Sequence, residues 1–93
     1  MGPNSERLLA RVMRASTDTG LHAESRARLE MGAEQYGDWD SDRDWHGEAS
    51  AEAIDGVHYC LIGAERASDG IERNRFERAA SLFAAAWGLC QRR

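Results

Sequence analysis

Four carboxylates carry the most chemical information in this chain: Asp44, Glu48, Glu52 and Asp55, spaced 4, 4 and 3. Residues three and four apart share a face of a helix, so the four form one stripe. Like charges at these spacings repel, by about a few tenths of a kcal/mol per pair. No Arg stands between Asp44 and Arg66 to relieve that repulsion. Two readings stay open. Either Arg residues from elsewhere neutralise a solvated acidic surface, or the stripe holds a divalent metal. Mg²⁺ suits the second reading, because it binds a few clustered carboxylates together with waters and substrate phosphates. Glu48, Glu52 and Asp55 are then the ligands on one helix. A short connection folds the preceding helix back alongside, so that Glu30 or Glu34 completes the set.

The stripe follows an acidic loop with Asp38, Asp40, Asp42 and Asp44. Calcium loops of the helix–loop–helix type need Gly at position 6 and Glu at position 12. Counting from Asp38 places Arg43 and Ala49 there, and counting from Asp40 places Trp45 and Ala51, so both registers fail. His22, His46, His58, Cys60 and Cys90 lack the close pairs of a structural zinc site. Cys60 stands among Tyr59, Leu61 and Ile62, an apolar setting unsuited to a reactive thiolate.

The elements that must position these groups are helical. Ser5 is a candidate N-cap for a first helix carrying Leu8, Leu9, Val12 and Met13, which ends in the cluster 16–20. A second helix is predicted over about 21–36, with Gly37 as its terminating glycine. A third is predicted over about 45–68, with Ile54, Val57, Leu61 and Ala64 as its apolar face. A fourth runs over about 71–90, with Phe76, Ala79, Ala80, Phe83, Ala86, Trp87 and Cys90 at helical spacing. Gly56 inside the third helix is expected to admit a close neighbour. β-branched runs are too short for a sheet. The expectation is an all-α, single-domain bundle of three or four helices over residues 1–93, with the second and third antiparallel.

Composition narrows the function classes. Twelve basic and 16 acidic residues leave a formal net charge of −4, which argues against a nucleic-acid binder working by phosphate neutralisation. Every basic residue is Arg, so a phosphate-loop lysine and a Schiff-base lysine are excluded. No apolar run reaches the roughly 18 residues of a membrane span. The first residues lack the apolar core of a secretory signal, and two thiols without close spacing fit free cysteines in a reducing cytoplasm. Leu, Ile, Val and Phe together number only 14 of 93 residues, against 15 Ala. So thin a core favours assembly, and a homodimer or higher homo-oligomer is expected.

The segment Gly32-Ala33-Glu34-Gln35-Tyr36-Gly37-Asp38, a loop, then Asp44-x3-Glu48-x3-Glu52-x2-Asp55-x3-Tyr59 resembles the MazG-like all-α nucleoside triphosphate pyrophosphohydrolases. It looks most like the short versions common among phage and prophage proteins, over about residues 26–66. The resemblance implies a Mg²⁺-dependent attack of water on the α-phosphorus of an NTP or dNTP, releasing a monophosphate and pyrophosphate. Glu48, Glu52 and Asp55 would be the catalytic and metal-binding residues. Trp39, Trp45 and Arg43 would contact the nucleotide, the two indoles by stacking on the base. The chain departs from the family in two places. The family's Glu-x2-Glu is replaced by Glu30 and Glu34 at a spacing of four, and the Lys common near the phosphates is absent. Both departures favour a second class of function: a small non-enzymatic helical accessory or inhibitor protein that binds a basic host protein or a nucleotide.

Overall fold

The computed structural model describes residues 1–38 and 42–91. Among these residues there are four helices and no strand: α1 (Pro3–Ala15), α2 (Thr19–Tyr36), α3 (Trp45–Arg66) and α4 (Gly70–Leu89). The chain forms two compact units, Met1–Arg43 with α1 and α2, and Asp44–Arg93 with α3 and α4.

Local chemistry sets the helix ends. α1 begins two residues before Ser5, because Pro3 occupies the first turn, where its missing N–H costs nothing. Asp18, Asp44 and Asp69 cap α2, α3 and α4, accepting from the N–H groups of Leu21, Gly47 and Glu72 at 3.1, 3.1 and 2.7 Å. Glu72 reaches back to accept from the N–H and hydroxyl of Ser68, the residue before the cap. α2 stops at Gly37, whose φ of 78° is the conformation that favours glycine.

In the first unit α1 turns Ser5, Leu9, Val12 and Ser16 inward, at spacings of 4, 3 and 4. α2 answers with His22, Ser25, Leu29 and Ala33. Leu9 is buried, and so is the polar Ser5. The reason is Asp38, which follows α2 and returns to the start of α1. Its carboxylate accepts from the Asn4 and Ser5 N–H groups at 2.8 and 2.9 Å and from the Ser5 hydroxyl at 2.7 Å. α1 has no side-chain cap from its own N-cap residue, so Asp38 supplies the missing acceptor from 33 residues away. At the other end of α1, His22 Nε2 donates to the Ser16 carbonyl at 2.6 Å.

The second unit is built on small residues. Ser50, Ala53, Gly56, Val57, Cys60, Gly63, Ala64 and Ala67 form the sheltered face of α3. The rings of Phe83 and Phe76 lie on Gly56 and Gly63: a Cβ added to either glycine would stand 2.6 or 2.5 Å from ring carbon. The close approach expected at Gly56 is therefore present, and Gly63 repeats it one heptad later. The expected face of Ile54, Val57, Leu61 and Ala64 is corrected. Only Val57 and Ala64 belong to the sheltered face, while Ile54 and Leu61 are 38% and 47% exposed. Two stripes at helical spacing coexist on α3, and helices approach closest over the smaller side chains. The open end of the hairpin is tied by polar groups. His46 Nδ1 and the Ser50 hydroxyl donate to the Cys90 carbonyl, and Gln91 Nε2 donates to the Ser50 hydroxyl.

Candidate functional site

α3 carries three faces. The small-residue face meets α4. About a third of a turn away stand Ile54 and Leu61, and on the remaining side lie Glu48, Glu52, Asp55 and Tyr59. All four of the last group are exposed, Tyr59 by 71%. The stripe is thus real as geometry. At 1.5 Å of rise per residue it extends about 10 Å from Glu48 to Asp55. The carboxylates are thus spread along the helix rather than gathered around one point, and a metal there would need waters or other groups to complete its shell.

The remaining expected residues are distributed as follows. Glu30 and Glu34 are exposed on α2, in the first unit, whereas Glu48, Glu52 and Asp55 belong to the second. Among the described residues no three His, Cys, Asp or Glu side chains gather as a metal-binding group. Asp44 is the N-cap of α3, and its carboxylate holds the Gly47 N–H. Trp45 is the first residue of α3, 42% exposed, and Arg43 is exposed just before it. Trp39 lies outside the described residues. Asp38, one of the loop acids, is engaged by the start of α1. His58 is exposed, and Cys60 and Cys90 are free and half-buried.

The hairpin also has a feature that the acidic pattern does not announce. Leu61, Ala64 and Glu65 of α3 line a shallow open hollow of about 350 Å³ with Arg73 and Glu77 of α4. Ile54 continues the α3 side of this face, and Ala80 and Ala84, at spacings of 3 and 4 beyond Glu77, continue the α4 side. An aliphatic ridge therefore stands beside a low floor, in which Ala84 is exposed and Ala80 is buried. The signal in the sequence was the pair Ile54 and Leu61, which turns away from α4, while Val57 and Ala64 turn toward it.

No family model matches the chain, and no curated protein or solved structure matches it either. Among the described residues no helix is long and apolar enough to cross a membrane.

Proposed function

We propose that the chain is a non-enzymatic helical binding module that presents the carboxylate face of α3 to a basic protein partner. The observation that carries this reading is the exposed stripe Glu48, Glu52, Asp55 and Tyr59, which runs along one helix instead of closing around a point. An extended row of like charges with an aromatic at its end matches a row of cations on another helix. Such a contact gains in association rate and specificity, and it weakens with salt. The net charge of −4 acts in the same direction.

The second reading is the MazG-like one, and the order of Glu48, Glu52 and Asp55 supports it. In that reading Glu48, Glu52 and Asp55 supply carboxylate ligands for Mg²⁺. Bound Mg²⁺ would supply a water of lowered pKa and neutralise the triphosphate.

One set of measurements separates the two. Pyrophosphate release is assayed from a panel of NTPs and dNTPs with Mg²⁺ or Mn²⁺, alongside the melting temperature with each metal. In parallel, an Arg-rich helical peptide with cations at i, i+4 and i+7 is titrated against the native chain and a Glu48→Gln, Glu52→Gln, Asp55→Asn variant. The binding module predicts no pyrophosphate above background, no stabilisation by metal, and salt-sensitive peptide binding that the triple variant loses. Metal-dependent pyrophosphate release abolished by Glu52→Gln and Asp55→Asn would overturn it in favour of the hydrolase.

A further inference from the structure

We propose that a second copy of this chain covers the ridge and alanine floor of the α3–α4 hairpin, the two hairpins forming a four-helix bundle with its two-fold axis parallel to the helices. The inference goes beyond the proposed function and stands apart from it, because the ridge of Ile54 and Leu61 is a different face of α3 from the carboxylate stripe. The two ring-on-glycine contacts fix the heights of the helices: residue 56 lies against 83 and residue 63 against 76. Seven residues up α3 therefore correspond to seven residues down α4. On that scale Ala84 and Ala80 are level with positions 55 and 59, inside the interval from Ile54 to Leu61. Arg73 is level with position 66, beside Glu65.

A two-fold axis along the helices leaves every height unchanged and places α3 of one copy over α4 of the other. The ridge of Ile54 and Leu61 then falls over the low floor of the second copy, where Ala84 is exposed and Ala80 is already buried beneath it, large on small. Glu65 of each copy arrives opposite Arg73 of the other. Within one chain, Glu65, Arg73 and Glu77 stand around the same hollow, and no ion pair joins them. The dimer supplies the charge complement twice by symmetry, as an isologous interface requires. All neighbouring helices in it are antiparallel, the arrangement that short connections favour in bundles.

The area is sufficient. A helix of 20 residues is about 30 Å long, and two helices at about 9 Å separation present on the order of 600 Å² per copy. The total of roughly 1,200 Å² meets the lower bound for a stable interface. Its centre is aliphatic, and its turn end is charged.

The test is light scattering coupled to gel filtration at about 50 μM, with circular dichroism of each variant. The native chain is expected at twice 10.4 kDa. Leu61→Asp and Ile54→Asp, both at exposed positions, should give monomers that keep their helix signal. Glu65→Arg alone and Arg73→Glu alone should each weaken the dimer by about tenfold, and the two together should restore it. Leu82→Asp, on the far side of α4, should leave the mass unchanged. A native monomer, a dimer that survives both ridge substitutions, a dimer dissociated by Leu82→Asp, or an exchanged pair no better than the single variants would each overturn the proposal. A monomer without hydrolase activity sinks this inference and leaves the binding module. A dimer with metal-dependent hydrolysis sinks the binding module and leaves the interface.

Discussion

In the α1–α2 unit a single carboxylate, Asp38, joins the end of the unit to its beginning through three hydrogen bonds. In the α3–α4 unit two phenyl rings rest on two glycines, and alanines fill the space between. Both hairpins are short of large apolar side chains, and each meets the shortage with different chemistry. The first uses directional bonds to groups that every helix start leaves unsatisfied. The second uses shape: with no Cβ at 56 and 63, the helices come close enough for modest side chains to touch. The shape solution has a further consequence. It places the small residues inside and turns Ile54, Leu61 and Ile62 out, so the second unit has apolar surface available for a partner.

The contrast can be broken from either side. The largest effect is expected at the glycines. Gly63→Val puts branched carbon where the Phe76 ring lies and should destabilise α3–α4 by roughly 3 kcal/mol. Hydrogen exchange should show faster amides along α3 and α4 and unchanged protection in α1. Asp38→Ala reverses the pattern. It strands the buried Ser5 hydroxyl and two N–H groups, and should cost the first unit about 2 kcal/mol. Protection of the α1 amides should fall while α3 and α4 keep theirs. Asp38→Asn, which retains one carbonyl oxygen, should lose about half as much.

Smaller changes sharpen the same comparison. His22→Ala removes the donor to the Ser16 carbonyl, which water at that half-buried site partly replaces, so about 1 kcal/mol is expected from the first unit. Arg28→Ala breaks the Arg28–Glu24 ion pair at 3.1 Å, but both side chains are largely exposed. A change of about 0.3 kcal/mol or less in denaturant midpoint is expected there. An effect at Arg28 as large as that at Asp38 would contradict the view that directed, sheltered bonds hold the first unit.

Much of the helical layout was legible in the sequence. Turn clusters at 16–20 and at Asp69-Gly70, and the glycine at 37, mark the ends within a few residues. Pro3 was the exception, because its preference for the first turn outweighed Ser5 as a cap. Two features were not legible for physical reasons. The role of Asp38 depends on a contact 33 residues away, which no local pattern encodes. The inward face of α3 was misassigned because hydrophobic size and closeness of packing select different stripes. Ile54 and Leu61 dominate a hydrophobic pattern, whereas Ala53, Gly56, Cys60 and Gly63 let another helix approach. The acidic stripe was legible as spacing, and its exposure along α3 agrees with that reading. Spacing alone does not distinguish a row of charges for a partner from ligands for a metal, since both need the same residues on the same face.

The proposed dimer over the aliphatic ridge ties the stability of the hairpin to concentration. Thermal unfolding followed by circular dichroism at about 1 μM and about 100 μM tests it most directly, because partner binding makes the midpoint depend on concentration. With the dimer, the midpoint is expected at least about 5 °C higher in the concentrated sample, with no such difference for Leu61→Asp. Superimposable native transitions at the two concentrations would contradict it.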